Sequence, residues 1–284
     1  MKYHTRFAPS PTGFVHLGNF RTAYFNWLAA RASGGTFMLR IDDTDLNRSN
    51  PEFTQVIFDT MKWLDLGFDR RAYQSQRFDI YRHQANDLVQ KGHAKVVDNA
   101  TILFPSDFHD QWKDQIAGQI QITDDDKDIM RKGIVLIKSD GSPTYHFASV
   151  VDDINFGINC VIRGVDHITN TSRQATIYKA FGVDLPMYYH IGLIHMGGKK
   201  LSKRDGAASM LWYRDQGYDP DAMLNFMARM GWGPTVDDKT ASFLPRNRML
   251  DLFLTGGKMR SASSNIDMAK LAWYDKKYKA MNRV

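Results

Sequence analysis

Three short stretches of this chain carry side chains suited to handling phosphate or carboxylate groups. The first is Arg6-Phe7-Ala8-Pro9-Ser10-Pro11-Thr12-Gly13-Phe14-Val15-His16-Leu17-Gly18-Asn19. Two prolines fix φ and push the residues before them out of the α region, so Pro9 to Gly13 is expected to be a stiff loop. Such a loop delivers backbone N–H groups, Ser10, Thr12 and His16 to a helix N-terminus, which suits an anion such as a nucleotide phosphate. Gly18 removes a side chain where a flat base or sugar could pack against backbone. On spacing alone the stretch reads equally as a Pro-rich turn capping an ordinary core helix. The second stretch, Asp42-Asp43-Thr44-Asp45, crowds three acids into four residues after an apolar run. Elsewhere that is a solvated turn; at the end of a parallel strand it is where ligands bind. The third is Gly197-Gly198-Lys199-Lys200-Leu201-Ser202-Lys203-Arg204-Asp205-Gly206. Its lysines, serine and arginine on a glycine-flanked loop can wrap a triphosphate as a mobile cationic clamp. By itself, a basic loop is usually a solvated loop.

The elements that must position these stretches follow from periodicity. Phe20, Ala23, Tyr24, Trp27 and Leu28 fall at helical spacing and predict a helix with one buried face. Thr36 to Ile41 is a short apolar run after Gly34-Gly35, which completes a β-α-β unit with a parallel strand pair. A second helix is expected from Pro51 to Leu64, capped by Asn50 or Ser49. Gln74 to Arg77 opens a third, with Phe78, Tyr81, Ala85 and Leu88 inward and Gly92 at its end. Residues 93–132 show no sustained period, and Asp124-Asp125-Asp126 reads as an acidic turn facing solvent rather than a metal site. Ile134 to Ile137 has the continuous apolar character of a strand covered on both faces. Cys160-Val161-Ile162 is a buried strand that runs into Arg163-Gly164-Val165-Asp166-His167. A helix from Ser172 to Phe181, closed by Gly182, precedes a strand from Tyr189 to His195. The remainder is expected to be helical, beginning at Asp219-Pro220, with Met223, Phe226, Met227 and Met230 as core filler.

Composition narrows the class. The 284 residues are 43% hydrophobic and 24% charged, a globular balance that excludes a disordered chain. A net charge of +6 suits a polyanionic partner. One cysteine excludes an intrachain disulfide and a zinc site built on several thiolates. The sequence shows no bilayer-spanning apolar run, and with no signal peptide expected the expected location is the cytoplasm.

Taken together, the motifs resemble those of class I glutamyl-tRNA synthetases. His16-Leu17-Gly18-Asn19 stands at that family's HIGH position, Asp42-Asp43-Thr44-Asp45 at its acidic EDTD motif, and Lys200-Leu201-Ser202-Lys203-Arg204 at its KMSKS signature. The resemblance spans nearly the whole chain and is weakest over 93–132 and 234–257. Asp42 replaces the Glu of bacterial relatives, Val165 an acidic residue, and Asn19 the final His of the first motif. The implied fold is α/β: a Rossmann-like doubly wound parallel sheet in two halves, 1–92 and 134–206. Between them lies a shortened acceptor-end-binding insertion, 93–133, and after them a helical stem-contact region, 207–284. On this resemblance, the anticodon-binding domain of full-length relatives is expected to be missing.

The resemblance implies ATP-dependent activation of L-glutamate and transfer to the 3′ end of tRNA, by family analogy to the 2′-hydroxyl and with tRNA present before activation. His16 and Lys203 are the implied catalytic residues. Ser10, Thr12, Gly18, Asp166, Ile194, Lys200, Leu201, Ser202 and Arg204 join them around ATP. Arg6, Ala8, Ser10, Asp42, Tyr145, Arg163 and His167 are the implied glutamate set. Arg6 and Arg163 take the side-chain carboxylate, Asp42 the ammonium, and Tyr145 donates a hydrogen bond. ATP and Mg²⁺ are the implied cofactors, with no zinc. The expected partner is tRNA, held at its acceptor stem and inner corner by a monomer with no membrane contact. Two other readings stay open: the short paralogue that glutamylates queuosine in tRNA(Asp), and a tRNA-binding protein that has lost catalysis.

Overall fold

A computed structural model describes residues 1–200, 209–234 and 243–281, the side chains of Lys199 and Lys200 excepted. Strand β1 (His4–Phe7), helix α1 (Leu17–Ser33), β2 (Thr36–Ile41), α2 (Pro51–Trp63) and β3 (Arg70–Tyr73) form the first half of the core. The three strands are parallel in the order β1-β2-β3, with His4 opposite Thr36 and Met38 opposite Arg70. A 3-10 turn at Gln74–Arg77, rather than the helix expected there, leads into α3 (Phe78–Gln90). Next come β4 (Ala94–Val97), β5 (Ala100–Leu103), β6 (Gln111–Asp114), β7 (Gly118–Gln121), α4 (Asp124–Arg131) and β8 (Ile134–Ile137).

The second half adds α5 (Tyr145–Asn155), β9 (Cys160–Gly164), α6 (Ile168–Phe181), β10 (Met187–Ile191), β11 (Ile194–Met196) and β12 (Lys199–Lys200). Strands β9 and β10 are parallel, and β6 joins β10 in parallel at its far side. The two parallel groups meet where Asn159, just before β9, bonds both the N–H and the C=O of His4. Strand order reverses between β1 and β9, which opens a crevice at the carboxyl ends of both.

The C-terminal part holds α7 (Met210–Asp215), α8 (Pro220–Arg229), β13 (Trp232–Pro234), α9 (Arg246–Phe253), β14 (Gly257–Met259), β15 (Ser264–Asn265) and α10 (Met268–Met281). It is therefore not purely helical. β13 and β14 pair with each other, and β15 adds to β11, which ties this part to the core sheet region. Asp219 caps α8 as its Asp-Pro start suggests.

Helix α1 departs from the one-faced expectation. Phe25 and Asn26 are as buried as Phe20 and Tyr24, because α1 is covered by the sheet on one side and by α8 and α9 on the other. Met223 and Met227 of α8 fill this core, with Leu271 and Tyr274 of α10 behind them. A second core gathers the insertion, α3, α5 and α6 around Tyr81, Trp112, Leu136, Phe147 and Tyr188. Cys160 is wholly buried, and burial pushes its thiol up to about 12.

Four further expectations are corrected. Asp124, Asp125 and Asp126 form the first turn of α4 rather than a turn, capped by Thr123, because acids at a helix N-terminus complement its dipole. β8 pairs antiparallel with β5 and leaves Val135 on an open face, so the strand is not covered on both sides. The run from Tyr189 to His195 breaks at Gly192-Leu193 into β10 and β11. Backbone from Ser261 and Ala262 presses so close to Gly192 that a Cβ there would lie 2.1 Å from the Ala262 carbonyl oxygen. Helix α6 also begins earlier than Ser172, at Ile168. Among the described residues no helix is long and apolar enough to cross a membrane.

Candidate active site

At the reversal between β1 and β9 lies a cavity of about 220 Å³. Five parts of the chain build it: the end of β1 with Ala8, the α1 N-terminus, the end of β2, the β9–α6 junction with Tyr145, and the β10–β11 break. They bring together Arg6, Ala8, His16, Gly18, Asp42, Tyr145, Arg163, Asp166, His167 and Ile194. Ser10 and Thr12 line a neighbouring hollow instead, which shares only Asp42 and Tyr145 with the cavity. Leu201, Ser202, Lys203 and Arg204 lie outside the described residues, as does the Lys200 side chain. What flanks them is placed at the site. Lys200 pairs with His195 in the β11–β12 hairpin, and Ser209 bridges to His16.

His16 is the N-cap of α1. Its Nδ1 accepts from the Gly18 N–H at 3.1 Å, and its own N–H donates to Asn19 Oδ1 at 3.0 Å. Asn19 is thus accounted for by a reciprocal cap. Gly18 lines the cavity with the His16 ring close beside it, where a Cβ would meet Nδ1 and Cε1 at 3.1 Å. With Nδ1 accepting, the proton of the neutral ring sits on Nε2. The preceding loop is held by Asp42 N–H on the Pro9 carbonyl and Asn50 N–H on the Pro11 carbonyl, both at 3.0 Å.

Of the three acids after β2, only Asp42 enters the cavity. Asp43 accepts from Ser75 N–H and hydroxyl, and Asp45 accepts from Arg48. Asp42 takes two bonds from Arg40, at 2.7 and 3.1 Å. Arg40 also donates to Asp153 at 2.7 Å, and Arg6 Nε reaches the same carboxylate at 3.2 Å. Asp152 accepts from Gln74, Arg77 and Tyr81. Three guanidinium groups, Arg6, Arg40 and Arg77, thereby face three carboxylates, Asp42, Asp152 and Asp153, and their charges balance.

Arg163 stands outside that balance. Its Nε and Nη2 bond His190 and Thr171, both uncharged acceptors. Among the described residues no carboxylate lies within ion-pair distance of it. His167 beside it has Nδ1 3.1 Å from the Asn170 amide and 3.2 Å from the Tyr145 hydroxyl. Burial and the Arg163 charge lower its pKa to about 4, so the ring is neutral. At Gly164 a Cβ would lie 2.4 Å from Asp166 Oδ1, so glycine is required for that carboxylate to fold back over the strand end.

Arg40, Asp152, Asp153 and Arg21 were not singled out from the sequence. Arg21 crosses from α1 to the Met230 carbonyl at 2.6 Å and to the Gly192 carbonyl, and so fixes the break that presents Ile194. Its burial lowers its pKa to about 10. The available signal was a charge inside an apolar run: Arg40 between Leu39 and Ile41, Asp152-Asp153 after Val150-Val151. Buried charges require partners, but a sequence does not say which.

Burial lifts the Asp42 carboxyl from 3.8 to about 6, against the pull of Arg40. Between those values the folded protein holds a proton that the unfolded chain releases. This contribution to stability is therefore full below 3.8 and is lost as pH rises through about 6. Asp42→Asn is expected to remove that slope, so its Tm relative to wild type should improve from about pH 4 to about pH 7. Parallel Tm curves would refute the raised pKa.

Comparison with known proteins gives consistent results. The family description "tRNA synthetases class I (E and Q), catalytic domain" matches residues 2–102 and 100–273. A glutamate tRNA ligase from Elizabethkingia meningosepticum, solved with its amino acid, superposes with a TM-score of 0.87 at 26% identity. That match covers 99% of this chain and 70% of the other. A glutamate-tRNA synthetase from Elizabethkingia anophelis gives 0.82, also at 26% identity, over 98% of this chain and 70% of that one.

Proposed function

This chain belongs to the class I (E and Q) tRNA synthetases, and on that footing we propose that it activates L-glutamate with ATP and transfers the glutamyl group to tRNA. In the first step the α-carboxylate of glutamate attacks the α-phosphorus of ATP. A mixed anhydride forms, the bond to the β-phosphate breaks, and pyrophosphate leaves. In the second, a hydroxyl of the terminal tRNA ribose attacks the activated carbonyl and AMP leaves. No covalent nucleophile of the protein is needed; alignment and charge stabilisation suffice.

The observation that carries this reading is Arg163, which lines the cavity and among the described residues has no carboxylate partner, its bonds going to His190 and Thr171. It is suited to the side-chain carboxylate of glutamate, and Asp42 is assigned to the ammonium. Arg6, already shared with Asp153, serves as a secondary cation. His16 at the α1 N-terminus and Lys203 on the basic loop are assigned to the phosphates. Asp166 and the Ile194 backbone are assigned to the nucleoside, with Lys200, Leu201, Ser202 and Arg204 as the clamp. Among the described residues no three His, Cys, Asp or Glu side chains cluster as metal ligands. The acceptor end is assigned to the insertion, 93–133, and the inner tRNA corner to the region 207–284.

The test is radiolabelled glutamate with ATP and total tRNA. The expected product is label on a base-labile ester at the 3′ end of a tRNA. Label on an internal base, or charging by glutamine in place of glutamate, would overturn the assignment.

A further inference from the structure

Behind Arg163, away from the cavity, lies a line of buried polar groups. Arg163 Nε donates to His190 Nε2 at 3.1 Å, and Nη2 donates to Thr171 Oγ1 at 2.6 Å. On its other edge His190 presents Nδ1 to Asp114 Oδ2 at 2.7 Å, and its backbone N–H reaches the same oxygen at 3.0 Å. His190 and Asp114 are at most 1% exposed. Asp114 ends β6 in the insertion, and its Oδ1 accepts the N–H groups of Ile116 and Ala117, closing the turn into β7.

These contacts fix the tautomer. A guanidinium Nε only donates, so His190 Nε2 must offer its lone pair; a carboxylate only accepts, so Nδ1 must carry the proton. Burial and the Arg163 charge lower the pKa of His190 against the pull of Asp114. Asp114 is held low, despite its burial, by the bonds from His190 and from the two turn amides. A neutral ring therefore separates a carboxylate from a guanidinium. Direct contact with Asp114 would cancel the charge that Arg163 turns to the cavity, whereas the ring fixes the guanidinium plane and leaves that charge for an anion.

We propose that His190, oriented by Asp114, is a positioning residue that aims Arg163 at the side-chain carboxylate of the amino acid, and that the β6–β7 hairpin is thereby tied to the amino-acid site. The inference rests on the glutamate reading of the cavity. The logic is that of any acid–imidazole pair in which the acid fixes which ring nitrogen is protonated.

Two variants separate aim from packing. In His190→Gln the terminal amide oxygen falls near the position of Nε2 and can accept from Arg163; in His190→Asn the amide ends near Nδ1 and cannot. Asn is shorter than Gln by one methylene, so the melting temperatures of the two are compared as the packing control. His190→Asn is expected to raise the KM for glutamate roughly tenfold or more in tRNA charging, with the KM for ATP changed by less than about threefold. His190→Gln is expected to recover most of that loss, while both variants melt at similar temperatures. An equal rise in both variants, or an equal rise for ATP, overturns the proposal. A second readout needs no substrate and no variant: long-range ¹H–¹⁵N spectra of the wild-type protein should show His190 protonated at Nδ1. Protonation at Nε2 overturns the relay. Failure of the wild type to charge any tRNA with glutamate would instead overturn the proposed function, and the tautomer would still decide this inference.

Discussion

Arg163→Ala is expected to lower glutamate-dependent pyrophosphate exchange, measured as kcat/KM with tRNA present, by roughly a thousandfold. Truncating one partner of a desolvated charge pair costs about 4 kcal/mol, and each ~1.4 kcal/mol is a factor of ten in rate. The effect falls on Arg163 rather than Arg6 for a structural reason. Arg6 is spanned by Asp153, which Arg40 also holds, so losing Arg6 leaves that carboxylate partnered. Arg163 bonds His190 and Thr171 and lies over the Tyr188 ring, and among the described residues no carboxylate pairs with it, so its charge is available to a ligand. The same argument sets selectivity. In the wild-type protein glutamine would leave the guanidinium buried without its anion, so glutamate should be preferred by a comparable factor. In Arg163→Ala that preference should collapse. Arg163→Lys should fall between, because an ammonium supplies charge but not a two-pronged donor. Preserved discrimination against glutamine in the Ala variant would remove Arg163 from the recognition of the side chain.

The site was legible where chemistry sits at the ends of strands. Arg6 and Arg163 lie near the carboxyl ends of β1 and β9, Asp42 and Asp166 just past β2 and β9, and the reversal of strand order collects them. His16 was legible as a helix start, but its capping bond to Gly18 was not. The close approach of the His16 ring to Gly18 is likewise a three-dimensional fact that the sequence does not carry. Ser10 and Thr12 share a loop with His16 in the sequence, and the structure sets them on an adjacent hollow that meets the cavity at Asp42 and Tyr145. The parts that escaped sequence reasoning are long-range: Arg40 finds Asp153 across 113 positions, and Asp114 finds His190 across 76. Local periodicity identifies a buried face but not the partner of a charge on it. The same limit explains Asp124 to Asp126, where three acids suit a solvated turn and a helix N-terminus equally until the tertiary structure decides.

Arg40→Met is expected to be the most destabilising single substitution in this network, by about 3–5 kcal/mol in urea unfolding at neutral pH. Arg40 lies in β2 and is 1% exposed, bonded to Asp42 and Asp153 and 3.6 Å from Asp152. The three carboxylates raise its pKa well above the ordinary arginine value, against the cost of burial. Methionine can fill part of the volume but leaves three buried acids to Arg6 and Arg77. Asp42 loses most, since both its bonds in this network come from Arg40. Its carboxyl, already lifted by burial, should rise further without the cation, so the folded variant binds a proton that the unfolded chain gives up. Stability of the variant then falls as pH increases, and its deficit against wild type should narrow in mild acid. Adding Asp42→Asn removes the stranded charge, so the double variant should be less destabilised than the sum of the two single changes. That non-additivity is the decisive measurement. Simple additivity of Arg40→Met and Asp42→Asn, with a deficit independent of pH, would mean that Arg40 contributes packing rather than the charge that holds the floor of the site.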